Sequence, residues 1–158
     1  MSQHPEERHM RQAIELALDA VRSGAGGPFG AVIVRGSEVL ACGQNQVPST
    51  NDPTAHAEMV AIRAACKKIE DFRLSGCVLY TSCEPCPMCL AAALWSRLDA
   101  VYFCGGREDA AAVGFDDSSF YAQLEKREKS RLPLQPFLHG EAQPAFDAWR
   151  DKPDKEAY

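Results

Sequence analysis

Apolar side chains at Met10, Ile14, Ala17, Leu18 and Val21 recur at helical spacing, so residues 6–22 predict an amphipathic helix. The Ser23-Gly24-Ala25-Gly26-Gly27-Pro28 run ends it. Phe29 to Val34 reads as a buried strand, Gly36-Ser37 as a tight turn, and Glu38 to Cys42 as the returning strand. Residues 44–54 form a polar loop rich in turn formers. Ala55 to Lys68 predicts a helix with Met59, Ile62, Ala65 and Cys66 on one side, capped by Asp52 or Thr54. Cys77 to Thr81 is a short apolar strand. Pro85 or Pro87 then opens a helix running to about Trp95, since proline is tolerated in a first turn. Ala100 to Cys104 is the next strand, and Gly105 to Asp117 a loop or lid. Residues 118–129 and 143–150 predict two more helices, with Pro136 to His139 a short edge strand between them. A charged tail ends at Tyr158. Strands alternating with helices favour an α/β domain whose sheet is largely parallel, with the hairpin as an antiparallel edge. No repeat or linker interrupts the pattern, so residues 1–158 are expected to form a single domain.

A chain of 158 residues with a formal net charge of -5 has ordinary globular size and composition. No apolar stretch reaches the roughly 18 residues that span a bilayer, so no membrane role is expected. The polar start, Met1-Ser-Gln-His-Pro-Glu-Glu7, does not read as a secretory signal, and a cytoplasmic location is the expectation. The acidic balance argues against nucleic acid as a partner, because such affinity comes from Lys and Arg on phosphates. Seven cysteines, an odd number, do not read as a disulfide framework. Three of them fall in Cys83-Glu-Pro-Cys86-Pro-Met-Cys89, which reads instead as a metal site.

His56 opens His56-Ala57-Glu58 at the first turn of one predicted helix, and Cys86-Pro-Met-Cys89 opens another. Imidazole and two thiolates suit zinc, and Cys-x-x-Cys spacing lets both sulfurs face one ion. Helix N-termini favour the thiolate form. Three protein ligands leave a fourth position for water, whose pKa a zinc ion lowers to about 7. Glu58, two residues after His56, is placed to move that water's proton rather than to bind the metal. A competing arrangement is a closed structural site in which Cys83 joins His56, Cys86 and Cys89. A blander one is a pair of buried thiols with no metal.

The H-x-E and P-C-x-x-C pair is the known signature of zinc nucleobase deaminases. On these motifs, with Gly27-Pro-Phe-Gly-Ala-Val32, Asn45, Asn51-Asp-Pro-Thr-Ala-His-Ala-Glu58, Tyr80-Thr-Ser-Cys-Glu-Pro-Cys-Pro-Met-Cys89 and Gly114-Phe-Asp-Asp-Ser118, the chain resembles the cytidine-deaminase-like superfamily. The resemblance implies a three-layer α/β/α sandwich around a mixed five-stranded sheet, and one zinc ion per subunit on His56, Cys86 and Cys89. Within the superfamily, the Gly27-Pro-Phe29 turn, Trp95, the Gly-Phe-Asp-Asp-Ser segment and Phe146-x-x-Trp149-Arg150 resemble the bacterial guanine deaminases. That implies hydrolysis of guanine to xanthine and ammonia. It also implies a homodimer in which a C-terminal segment, residues 141–158, is exchanged and Tyr158 closes the partner's site. Without the resemblance, that tail reads as frayed and solvated.

A guanine pocket needs a donor for O6 and an acceptor for the ring's N–H edge. Asn45 can donate and Asp117 can accept, although Asn45 also fits an ordinary loop and Asp116 and Asp117 fit a helix cap. Phe29 and Trp95 are candidates to pack on the purine faces or in the core. Backbone N–H groups at Ala57 and Cys86 are further candidate contacts, as helix starts leave donors unpaired. Glu84 is a candidate second carboxylate near the leaving group, or a structural residue. Two rival activities share the zinc core: a tRNA adenosine deaminase, using the basic run at residues 126–131, and a deaminase of cytosine or another small aminated ring.

Overall fold

In the computed structural model, the described residues are 5–125, 132 and 134–156. They fall into two compact units, residues 1–117 and 118–158. The first unit is built on a four-stranded mixed sheet. Its elements are α1 (Glu7–Arg22), β1 (Gly30–Arg35), β2 (Glu38–Gln44), α2 (Val47–Thr50), α3 (Ala57–Ile69), β3 (Cys77–Cys83), α4 (Pro87–Trp95), β4 (Ala100–Gly105) and α5 (Arg107–Ala112). The strand order is β2-β1-β3-β4. β1 runs antiparallel to both β2 and β3, and β3 and β4 are parallel.

The sheet is therefore less parallel than the alternation of elements suggests. The chain turns straight back from β1 into β2, then crosses through α3 to the far side of β1. It arrives there pointing against β1 and therefore along β2, so both crossovers keep strand direction, and the sheet is mixed because β1 lies between β2 and β3 rather than at an edge.

Strand periodicity divides the core into two faces. Val32 and Val34 of β1 join Val78 and Tyr80 of β3 under Ala13 of α1. Ala31 and Ile33 join Leu79 and Cys77 under Ala57, Ala61, Ile62 and Ala65 of α3. Helices thus cover both faces. Two glycines set how closely they lie. A Cβ on Gly30 would sit 2.1 Å from the carbonyl oxygen of Ala13, and one on Gly43 would sit 2.2 Å from that of Ala57. The first contact lays α1 on β1, and the second lays the start of α3 on the end of β2.

The second unit contains α6 (Ser118–Glu125), a 3-10 turn at His139–Ala142 and α7 (Gln143–Asp151). No strand forms at 136–139, where an edge strand was expected. Pro136 cannot donate to a ladder, and Leu138 adopts a left-handed φ of 50° that breaks an extended run. Among the described residues the sheet has four strands rather than five. Two expected loops also carry short helices. α2 ends at Asn51, which takes a left-handed φ of 53°. α5 starts where the Asp109 carboxylate accepts from the backbone N–H of Gly106 at 2.7 Å.

Gly43→Ala should lower stability by about 1–3 kcal/mol, because the added methyl meets helix backbone rather than a movable side chain. Urea unfolding measures this; a change below about 0.5 kcal/mol would contradict the close α3–β2 contact.

Candidate metal centre

The helices α3 and α4 both start at the end of the sheet where β2 and β3 finish. His56 is the N-cap residue of α3 and Cys86 that of α4. Asp52 does not cap α3. Its carboxylate accepts from the backbone N–H and hydroxyl of Thr54 at 2.8 and 2.6 Å, closing a turn upstream. The loop is pinned to β2 by the backbone bond from Gln46 N–H to the Ala55 carbonyl at 2.9 Å. His56 is thereby delivered to the helix start with its ring turned to the thiols.

The Nδ1 atom of His56 lies 3.6 Å from Sγ of Cys86 and 3.5 Å from Sγ of Cys89. All three donor atoms lie within 4.8 Å of one another. Zinc bonds of about 2.3 Å to sulfur and 2.0–2.1 Å to nitrogen, at a tetrahedral angle, would separate N and S by about 3.5–3.6 Å. The donor set fits that ion in both chemistry and spacing. Its electrostatics agree. Hydrogen bonding from Cys89, helped by His56, holds the Cys86 thiol down at about 4. The hydrogen bond to that thiolate, with burial, pushes the Cys89 thiol up. The Cys86 contact also raises His56. Three groups crowd around protons that a cation would replace.

Cys83 stays out of this cluster. Its thiol donates to the Gly106 carbonyl at 3.6 Å, and burial raises its pKa to about 11. The closed four-ligand arrangement is not what the fold builds among the described residues. All seven cysteines are free.

Glu58 lies in the first turn of α3 and is 6% exposed. Burial raises its pKa, and its carboxylate also interacts with Cys89. Oε1 is 3.3 Å from the hydroxyl of Thr81.

Asn45 is buried at the end of β2. Its Oδ1 accepts from the backbone N–H groups of Gly27 and Val47, each at 3.2 Å. These two donors settle which end of the amide is oxygen, and leave Nδ2 as the end able to donate elsewhere. A Cβ on Gly26 would lie 2.1 Å from Oδ1, so the glycine turn is moulded to this side chain.

Phe29 is half-buried and meets Phe115 edge-on at a centroid distance of 4.9 Å. Phe115 lies against Gly27, where a Cβ would come within 2.8 Å of the ring. This ties residues 113–117 to the turn that holds Asn45. Asp117 pairs with Arg107, Nε to Oδ1 3.8 Å. Burial, with a contribution from the Cys86 thiolate, raises the Asp117 carboxyl, while Arg107 opposes that. Asp117 is thus the shielded member of its pair, within electrostatic reach of the thiols, whereas Asp116 is exposed.

Glu84 is half-buried between β3 and α4, its backbone N–H bonded to the Gly105 carbonyl at 2.8 Å. Trp95 is the last residue of α4. Six residues beyond Cys89, it lies about 9 Å further along α4 and about 120° round it. It is 62% exposed. Tyr158 and the basic run at 126–131 lie outside the described residues. Sequence reasoning passed over Phe115, Arg107 and Thr81. Phe115 stood inside a recognised segment, but only its contact with Gly27 gives it a place. Thr81 looked like an ordinary strand residue.

Residues 3–105 match the family described as the cytidine and deoxycytidylate deaminase zinc-binding region. The chain belongs to that family. It is 47% identical to a guanine deaminase of Bacillus subtilis, over 96% of this chain and 98% of the relative. The crystal structure of a Bacillus subtilis guanine deaminase superposes with a TM-score of 0.92 at 47% identity, covering 98% of this chain and 99% of that one. A tRNA-specific adenosine deaminase of Aquifex aeolicus is 46% identical, over 48% of this chain and 50% of its own. A guanine deaminase structure from Nitrosomonas europaea superposes with a TM-score of 0.68 at 30% identity, covering 75% of this chain and 68% of that one. No helix among the described residues is long and apolar enough to cross a membrane.

Cys83→Ala should retain about one zinc per chain after exhaustive dialysis, and Cys86→Ala should lose it, by elemental analysis. Loss of zinc from Cys83→Ala would restore the closed site.

Proposed function

We propose that the protein hydrolyses guanine to xanthine and ammonia. The observation that carries this reading is the full-length relationship to a guanine deaminase, 47% identical over 96% of the chain. The geometry supports it. A donor fixed by its own loop, Asn45, and a shielded carboxylate, Asp117, accompany one metal centre. These are the two polarities that the O6 and N–H edge of guanine require.

The zinc ion, when bound, makes a water nucleophilic at neutral pH. His56, Cys86 and Cys89 hold it. Glu58 takes the proton that the water gives up, as its oxygen adds to C2 of guanine, and delivers it to N3. In a second transfer Glu58 takes the remaining proton from the new C2 hydroxyl and gives it to the C2 amine, and the C2–N bond breaks to release ammonia as the C2 carbonyl of xanthine forms. Burial keeps Glu58 away from bulk water and raises its pKa above the ordinary carboxylate value, which favours its holding the proton between the two transfers. Asn45 Nδ2 donates to O6, and Asp117 accepts from the ring's N–H edge. Phe29, with Phe115 against it, flanks the base, and the backbone N–H groups at Ala57 and Cys86 face it from the helix starts. Glu84 stands by the leaving group.

The protein acts in the cytoplasm as a homodimer. Residues 141–158 exchange between copies, so that each chain remains one functional domain and Tyr158 closes the partner's site. Exposed apolar side chains support this: Leu90, Leu94 and Trp95 on α4, and Phe146 and Trp149 on α7.

Purified zinc-loaded protein should release ammonia and xanthine from guanine, and little from guanosine, adenine, cytosine or a tRNA anticodon substrate. Activity on the tRNA substrate instead would reverse the assignment. Glu58→Gln should keep zinc and bind guanine while kcat falls by about 10²–10⁴-fold. Turnover near that of the unaltered protein would remove Glu58 from proton transfer.

A further inference from the structure

Thr81 is 1% exposed in the interior of β3, between the paired residues Ala31 and Phe103. Its hydroxyl lies 3.3 Å from Oε1 of Glu58 and 3.1 Å from the carbonyl oxygen of Cys83. A hydroxyl has one proton to give. With two acceptors in reach it always finds a partner, so the side chain adds no unpaired buried donor to the sheet.

Glu58 needs such support. Its carboxylate is buried, and its backbone sits in the first turn of α3. A glutamate there has three side-chain torsions to fix. An O–H donor on a rigid central strand immobilises one carboxylate oxygen and leaves the other to face the reaction. The same carboxylate is also bonded by its own backbone N–H and by Cys89, a metal ligand that cannot hold it in place while it serves the ion.

We propose that Thr81 is a positioning residue for Glu58: its hydroxyl anchors Oε1 and so aims Oε2 at the reacting atoms. The claim rests on the proposed role of Glu58 in proton transfer. It extends that role by naming the group that makes the carboxylate's geometry reproducible. A carboxylate displaced by a fraction of an ångström still binds nothing less tightly, but transfers protons more slowly.

The test compares Thr81→Val, which keeps shape and removes the hydroxyl, with Thr81→Ser, which keeps the hydroxyl and removes the methyl. Both are made as full-length, zinc-loaded protein, with zinc content and thermal midpoint checked. Thr81→Val should hold zinc normally and keep KM for guanine within about twofold, while kcat falls by about ten- to a hundredfold. Thr81→Ser should restore most of kcat. Unchanged kcat in Thr81→Val would overturn the proposal. So would equal losses in the two variants, which would assign the effect to packing. A second readout does not use turnover. In protein labelled with ¹³C at the glutamate carboxyls, the infrared carboxylate band that disappears in Glu58→Gln should shift in Thr81→Val and stay in place in Thr81→Ser. If the unaltered protein releases no ammonia from guanine, the base assignment fails. The infrared comparison still decides the role of Thr81, and an unshifted band in Thr81→Val overturns it.

Discussion

An imidazole and two thiols held within van der Waals reach of one another are a poor arrangement for a protein without a cation. Here the His56 nitrogen lies 3.5–3.6 Å from both sulfurs and all three donors lie within 4.8 Å of one another, one thiol driven toward its anion and the other kept from it. The arrangement persists because the scaffold leaves it no alternative. Gly43 allows α3 to rest directly on β2, the Asp52 turn delivers His56, and Pro87 begins α4 immediately after Cys86. Aligned peptide dipoles at both helix starts favour the negative charge that the thiolates bring. A zinc ion resolves the crowding, and the rest of the site is arranged around where it sits.

The second layer of the site is organised from the opposite direction. Asn45 is fixed by two backbone donors, not by a ligand, so its donor end is set before any base arrives. The same glycine turn receives Phe115, which stands against Phe29 and anchors the segment leading to Asp117. One short turn, Gly26-Gly27, thereby couples an amide, an aromatic pair and a carboxylate. This is pre-organisation by backbone contact, which costs little at the moment of binding.

Much of this was legible in the residues. The metal ligands and Glu58 could be read because zinc chemistry restricts residue type and spacing, and because a proline marked where α4 could begin. The helices α1, α3 and α4 and the four strands were legible from periodicity. Strand order was less so: the hairpin was legible from its turn, but nothing in the local pattern says that β1 lies between β2 and β3 rather than at an edge of the sheet. The edge strand at Pro136–His139 failed because a proline and a left-handed Leu138 outweigh local apolarity. Trp95 is a case where proximity in sequence to a metal ligand does not say which way a side chain faces, because each residue turns about 100° round the helix. Thr81 and Arg107 could not be found at all without the fold, as each acts across a distance that the chain order conceals.

The account stands on an open three-ligand centre built from His56, Cys86 and Cys89. X-ray absorption at the zinc edge of the purified protein tests it most directly. Two sulfur neighbours at about 2.3 Å with two nitrogen or oxygen neighbours at about 2.0–2.1 Å are predicted. Three sulfur neighbours would contradict it, placing Cys83 on the metal and leaving no position for water.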